Sequence, residues 1–208
     1  IFYLATSRGC TVNCAFCGGG QNTHRQYFHR TRPLFRDIDS VLRTMNSVLD
    51  FGWNTFYICF KMPDDDRAYY PALFEAARKR FGRGRIRMLF ESAILPDEKF
   101  LSEFSDTFNS EGSQLILSPT SHDEAVRRRF LGSSYSNEEL EVFLASAHLR
   151  KISVLLYYSI LPGQNIASTR ELIRHQAMLG KRFGAACQTM PIELEPGAPW
   201  ALHPERYN

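Results

Sequence analysis

The sequence predicts an α/β fold, a partial (βα)6 TIM-like barrel with parallel strands. Three observations lead there. Short apolar runs alternate with longer segments of helical period along the chain. The alternation yields six strands and five helical regions, which implies parallel strands joined by right-handed crossovers. The apolar runs, 152–160 above all, are continuous, as strands covered on both faces require. A closed eight-fold barrel needs roughly 250 residues, more than the 208 present. Six units therefore fit an open partial barrel, with a doubly wound sheet as the alternative.

Each element has a local cause. Residues 1–6 read as the first strand. Asp37 then caps a helix carrying Ile38, Val41, Leu42, Met45, Val48 and Leu49 at helical spacing, and Gly52 ends it. Residues 53–60 form an aromatic and β-branched strand. A helix over 69–81 stops at Gly82. A third strand spans 86–90. A third helix spans 96–108, with Pro96 at its start. Strand 115–118 follows, then a two-part helical region, 122–131 and 137–151. Ser136 and the acidic pair Glu138-Glu139 open its second part. Strand 152–160, helix 169–183 closed by Gly184, and strand 186–191 complete the pattern. The tail from residue 195, with three prolines, reads as irregular.

Composition narrows the class. Hydrophobic residues make up 44% and charged residues 23%, which excludes a disordered chain. No apolar run reaches the roughly 18 residues of a membrane span. The chain opens on Ile1 with no charged leader and cleavage site, so it is expected to be a segment of a longer protein. Net charge is only +3, but residues 1–36 hold five arginines and no Asp or Glu. An acid-free basic opening suits an anionic ligand, or a solvated basic face. Five cysteines without a secretory signal point to a reducing, cytoplasmic setting.

Three of those cysteines lie within eight residues, in Thr6-Ser7-Arg8-Gly9-Cys10-Thr11-Val12-Asn13-Cys14-Ala15-Phe16-Cys17-Gly18-Gly19-Gly20. Their spacing is Cys-x3-Cys-x2-Cys, on the loop after the first strand. Thiolates so grouped suit an iron–sulfur cluster or zinc. Three ligands leave one iron of a four-iron cluster open, and an open position is what chemistry needs. The neighbouring glycines allow close approach of backbone to the cluster. The alternative is zinc, with His24 or His29 as fourth ligand. Cys59 and Cys187 sit in apolar strands and read as ordinary core thiols.

The spacing, the aromatic Phe16 before the last cysteine, and the position after the first strand of an α/β chain resemble the radical S-adenosylmethionine (radical SAM) superfamily. The resemblance implies an enzyme with Cys10, Cys14 and Cys17 as ligands of a [4Fe-4S] cluster. The open iron would chelate S-adenosylmethionine (SAM). Reductive cleavage would then give a 5'-deoxyadenosyl radical that abstracts hydrogen from a substrate the sequence does not identify. A reducing partner such as flavodoxin or ferredoxin is implied. Residues 1–208 would be the core domain.

The resemblance extends along the chain. Phe16 and Gly18 flank the last cysteine on the cofactor side. Relatives carry a Gly-Gly-Glu-like element after the second strand. Here that place reads Phe60-Lys61-Met62-Pro63-Asp64-Asp65-Asp66, so the backbone of 61–63 is the expected contact for the SAM amino group, with Asp64 to Asp66 capping a helix. Glu91 ends the third strand, where ribose or substrate would meet it, or where it is structural. Ser118 and Thr120 end the fourth strand as hydroxyl candidates. One of Arg127, Arg128 and Arg129 would reach the SAM carboxylate, the others forming a solvated basic face. Ile160-Leu161-Pro162-Gly163-Gln164 resembles the family's Gly-Leu-Pro-Gly turn, with Leu161 on the adenine and Gly163 allowing close approach. Ile192 would add adenine contacts. Thr-Ser-Arg-Gly-Cys, Cys-Gly-Gly and Glu-Leu-Glu-Pro-Gly look most like cobalamin-associated members, in which a cobalamin domain precedes the core.

Two other readings remain open. One is a zinc-stabilised RNA-binding module using the Arg78–Arg87 and Arg127–Arg129 clusters, although these lack the interleaved aromatics of a stacking platform, so nucleic acid is not indicated. The other is a degenerate core that binds the cluster without cleaving SAM.

Overall fold

In the computed structural model, residues 1–59, 67–131, 134–161 and 164–207 are described. Six strands form one parallel sheet: β1 (Phe2–Tyr3), β4 (Thr55–Cys59), β5 (Arg87–Ser92), β6 (Gln114–Thr120), β7 (Ser153–Ile160) and β8 (Ala186–Pro191). They pair in that order, each new strand added to the same growing edge. A doubly wound sheet reverses its order at a switch point, and this one does not. The architecture is thus the expected α/β partial barrel.

Six helices follow or connect these strands: α2 (Ile38–Asp50), α3 (Tyr69–Phe81), α4 (Glu98–Thr107), α5 (Glu124–Phe130), α6 (Asn137–Leu149) and α7 (Ile166–Phe183). Their starts follow from side-chain caps. Asp37, Asp97, Asp123 and Asn165 each accept a hydrogen bond from a first-turn backbone N–H, and Ser136 with Glu139 forms a capping box. The Asp97 cap starts α4 two residues after Pro96, and the Asn165 cap starts α7 three residues before the expected position. The exposed Ile166 gave no apolar stripe to announce that extra turn.

The helices cover one face of the sheet. Phe56, Ile58, Met88, Phe90, Leu115, Leu117, Val154 and Leu156 share a single core with residues of α2, α3, α4, α6 and α7. An aromatic nest lies at its centre, with the Phe74 ring 4.9 Å from Phe108 and 5.1 Å from Phe100, and Phe90 4.8 Å from Tyr70. Each such buried side chain contributes about 1.5–3 kcal/mol. The alternate residues Tyr57, Glu91, Ser118 and Tyr157 are only half-buried. The expectation of two covered faces is therefore corrected. The second face is the concave interior of the partial barrel, and polar side chains line it.

The N-terminal region differs most from expectation. β1 stops at Tyr3, and residues 7–8 form β2 (Ser7–Arg8), antiparallel to β3 (Leu34–Phe35). Between them lie the cysteine loop and α1 (Gln21–Phe28), which buries no residue and has no side-chain cap. Without an apolar stripe, α1 left no periodic signal. The tail is also more regular than expected, with α8 (Pro199–Leu202) and a 3-10 turn at Pro204–Arg206. Among the described residues no helix is long and apolar enough to cross a membrane.

Candidate functional site

The cysteine loop leaves the sheet under firm anchorage. Thr6 is buried and hydrogen-bonds the Tyr70 hydroxyl at 3.0 Å. The Arg36 guanidinium donates to Ala5 O at 2.8 Å, and the Arg36 N–H donates to Thr6 O. The Tyr69 hydroxyl donates in turn to Arg36 O at 2.8 Å. Gly9 turns the chain at φ +112, where a Cβ would meet Pro33 Cα at 3.1 Å. Arg36, just ahead of α2, and the tyrosines at the start of α3 thus fix where the loop begins.

Two distant segments strap the loop's middle. The Ala15 N–H donates to Phe130 O and the Trp200 N–H donates to Ala15 O, each at 2.8 Å. The Glu195 N–H donates to Phe16 O at 3.1 Å. The Gly18 N–H donates to the Glu195 carboxylate at 2.6 Å. Beyond the loop, the Asn22 N–H donates to Asn13 Oδ1 at 2.7 Å and the Thr23 hydroxyl to Gly18 O at 2.6 Å. The tail that read as irregular is therefore a structural part of the cysteine loop.

Cys10, Cys14 and Cys17 all line one cavity of about 510 Å³. Cys14 is buried and the other two are half-buried. The Gly19 N–H donates to Cys17 Sγ at 3.3 Å. Burial pushes the Cys17 thiol up, the Gly19 N–H opposes it, and the Glu195 charge adds to the rise. Among the described residues no three His, Cys, Asp or Glu side chains converge to hold a single ion. An all-thiol donor set around a cluster-sized cavity fits the iron–sulfur group. His24 lines the same cavity.

The floor of the cavity comes from the sheet. Cys59, Glu91 and Ser118, at or near the C-terminal ends of β4, β5 and β6, line it. Glu91 gathers three donors. Cys59 Sγ donates to Oε2 at 3.1 Å, the Tyr57 hydroxyl donates to the same oxygen, and Ser118 Oγ lies 3.5 Å from Oε1. Burial and the Glu91 charge push the Cys59 thiol up to about 12, and the same causes raise the Tyr57 phenol. Reading Cys59 as a core thiol is corrected: it is exposed to the cavity. Alternation along β4 put Phe56 and Ile58 inward to the helices and so turned Cys59 to the barrel interior. Cys187 is half-buried and packs against the core, as expected.

The remaining expected sites fall in four different places. Phe16, Leu161 and Ile192, from three separate segments, meet in one apolar cluster with Ala15, Phe130 and Trp200. Gly18 packs against the tail, where a Cβ would lie 2.3 Å from Pro196 O. Thr120 does not reach the cavity. It is buried at φ 64 beside a register shift in β6, with its hydroxyl 3.5 Å from Ser118 O. Gly163, the backbone of 61–63 and Asp64 to Asp66 lie outside the described residues.

The arginine expectation is corrected. Arg127 is fully buried, and its guanidinium donates to Ser121 O, Tyr135 O and Asn137 Oδ1, 2.6–3.2 Å away. Its charge is spent on holding the loop between α5 and α6. Arg128 pairs with Glu124 at 3.5 Å, and Arg129 donates to Arg206 O. None of the three lines the cysteine cavity. Sequence reasoning missed Cys59, Tyr57 and Glu195 as neighbours of the site. Strand alternation could have found the first two.

This α/β fold recurs in known proteins. The family model described as the radical SAM superfamily matches residues 4–175. The radical SAM methyltransferase TsrM from Kitasatospora setae, solved with cobalamin and a [4Fe-4S] cluster, superposes with a TM-score of 0.75 at 17% identity, over 96% of this chain and 35% of its own. The cobalamin-dependent radical enzyme OxsB superposes with a TM-score of 0.61 at 15% identity, over 99% of this chain and 29% of its own. Methylornithine synthase (PylB) gives a TM-score of 0.65 at 15% identity, over 96% and 55%. The chain thus spans from under a third to just over half of these proteins' lengths. At such identities the likeness is one of fold. No curated protein sequence matches the chain. A family match over most of the chain, with its cysteines gathered on one cavity, carries the assignment: this chain belongs to the radical SAM superfamily.

Proposed function

We propose that residues 1–208 are the catalytic core of a longer radical SAM enzyme, with Cys10, Cys14 and Cys17 holding a [4Fe-4S] cluster. The observation that carries this reading is the shared cavity of the three thiols at the C-terminal strand ends, beside Glu91 and Ser118. A cluster held by these three thiols would supply the one-electron chemistry of reductive SAM cleavage, leading to hydrogen abstraction from a substrate.

The chain's own residues would hold and orient. Phe16 lines the cavity, and Leu161 and Ile192 pack in the apolar cluster behind it, an apolar side suited to adenine. Glu91, with two protonated donors on one oxygen, faces the cavity as an acceptor for hydroxyls of ribose or substrate. Ser118 offers a weaker contact beside it, and Gly163 would allow the backbone to approach the nucleoside. Gly18 and Glu195 set the loop's curvature after Cys17. Contact with the SAM amino group falls to the backbone of 61–63. A one-electron carrier of the flavodoxin or ferredoxin kind would supply the electron, and the protein would work in the cytoplasm.

The likeness to TsrM and OxsB favours a cobalamin-associated member, with the cobalamin domain upstream of Ile1. Metal analysis after anaerobic reconstitution tests the reading. About four irons with matching sulfide per chain are expected, and one zinc per chain overturns it. Four irons without any turnover of SAM identifies a degenerate core.

A further inference from the structure

A second cavity, of about 700 Å³, borders the other side of the cysteine loop, between α1 and the tail. Cys17 is the one described residue that lines both cavities. The second cavity opens to solvent past exposed Arg25, His203 and Arg206, and Tyr27, Leu202 and Tyr207 add apolar surface. Among the described residues no carboxylate lines it. Arg25 forms no ion pair among the described residues. Glu205 lies at the margin, 3.6 Å from His203 and 3.9 Å from Arg206 at exposed positions where such pairing is weak. The surrounding segment, residues 1–36, has five arginines and no acid.

We infer that this groove is the docking surface of an acidic one-electron carrier protein. The inference rests on the reading of Cys17 as a cluster ligand. Two features select this partner over other anions. Cys17 forms the wall between the groove and the inner cavity, so a carrier seated here stands one side chain from the cluster. The described rim residues combine arginine with aromatic residues and include no lysine, as the centres of protein interfaces do. Redox encounters bury little area and depend on charge steering for speed, which a cationic groove with no carboxylate among its described lining residues supplies.

The test uses the full-length chain carrying its reconstituted cluster. Bleaching of the cluster's visible absorbance is followed by stopped flow, with reduced flavodoxin and with the methyl viologen radical cation as separate reductants. The double variant Arg25→Glu/Arg206→Glu is expected to lower the flavodoxin rate constant roughly tenfold or more at low salt. The viologen rate should hold or rise. In the wild type the flavodoxin rate should fall with ionic strength, and in the variant that dependence should flatten. Arg25→Gln/Arg206→Gln should give a smaller loss in the same direction. An unchanged flavodoxin rate overturns the docking surface, as does an equal fall with both reductants. A wild-type rate indifferent to salt also overturns it, because another segment of the chain then covers the groove. So does RNA binding that the variant abolishes while flavodoxin reduction persists. Absence of viologen-bleached iron absorption in the wild type overturns the cluster reading itself, which separates the two failures.

Discussion

The backbone N–H of Gly18 donates to the carboxylate of Glu195 at 2.6 Å, across 177 residues of sequence. One residue past the last cysteine, the loop is thereby tied to the segment that follows the final strand. Trp200 adds a second tie through Ala15. The cysteine loop is short in sequence, yet its shape is set only when the tail has folded onto it.

Gly18→Ala tests that closure. The added Cβ would lie 2.3 Å from Pro196 O, a backbone atom that cannot swing aside. A loss of about 1–3 kcal/mol is expected, the usual range for overpacking, read as a lower urea midpoint. Iron retention after gel filtration should fall as well. Gly19→Ala is the control, since its Cβ meets nothing closer than 3.8 Å.

The Cys59 thiol should resist alkylation. Burial and the Glu91 charge both disfavour thiolate and place its titration at about 12. At pH 8 its reaction with iodoacetamide should be far slower than that of an ordinary thiol with a pKa near 8.5. Glu91→Gln removes the negative charge, so the pKa moves down and the pH profile of alkylation shifts to lower pH. Mass spectrometry of the Cys59 peptide reads the rate, and an unmoved profile would show that Glu91 does not control the thiol.

Arg127→Met should impair folding rather than SAM binding. The change removes a buried charge and strands its acceptors on Ser121, Tyr135 and Asn137. A cost of roughly 3–5 kcal/mol is expected for breaking such a network from one side. Equilibrium urea unfolding measures it. In the fraction that folds, SAM affinity should match the wild type, because the guanidinium does not line the cysteine cavity.

Leu161→Ala and Trp200→Ala divide the apolar cluster by role. Both residues are buried with Ala15 and Phe130, so each loss should cost about 2–5 kcal/mol. Only Trp200 also holds the loop through its backbone next to that ring. Trp200→Ala should therefore lose iron more readily than Leu161→Ala. Leu161→Ala should instead weaken SAM binding, read by isothermal titration of the iron-loaded chain.

The sheet and its helices were legible because each strand's core face is apolar and each helix carries a stripe or a cap. Asp37, Ser136 and Gly184 marked helix ends that the structure keeps. The cysteine loop was legible from spacing alone. The hairpin around it was not: β2 and β3 are two residues each, and α1 buries nothing. Pairing of Ser7 with Phe35 is a long-range event with no local signature. Arg127 misled because a run of three arginines on a short helix looks solvated, and only tertiary packing buries the first. Cys59 misled because hydrophobic neighbours suggested a core, whereas the period of two sends alternate residues to opposite faces. The Glu195 contact joins ends of the chain, and nothing near Gly18 announces it.

The most direct test is turnover of SAM by the anaerobically reconstituted, reduced protein. Chromatography would quantify 5'-deoxyadenosine formed per chain by the wild type and by Cys14→Ala at equal protein concentration. If three cysteines hold a cluster that serves SAM cleavage, the wild type forms 5'-deoxyadenosine and the variant forms none. Formation at the parental rate by Cys14→Ala, or none by a wild type loaded with four irons, would contradict it.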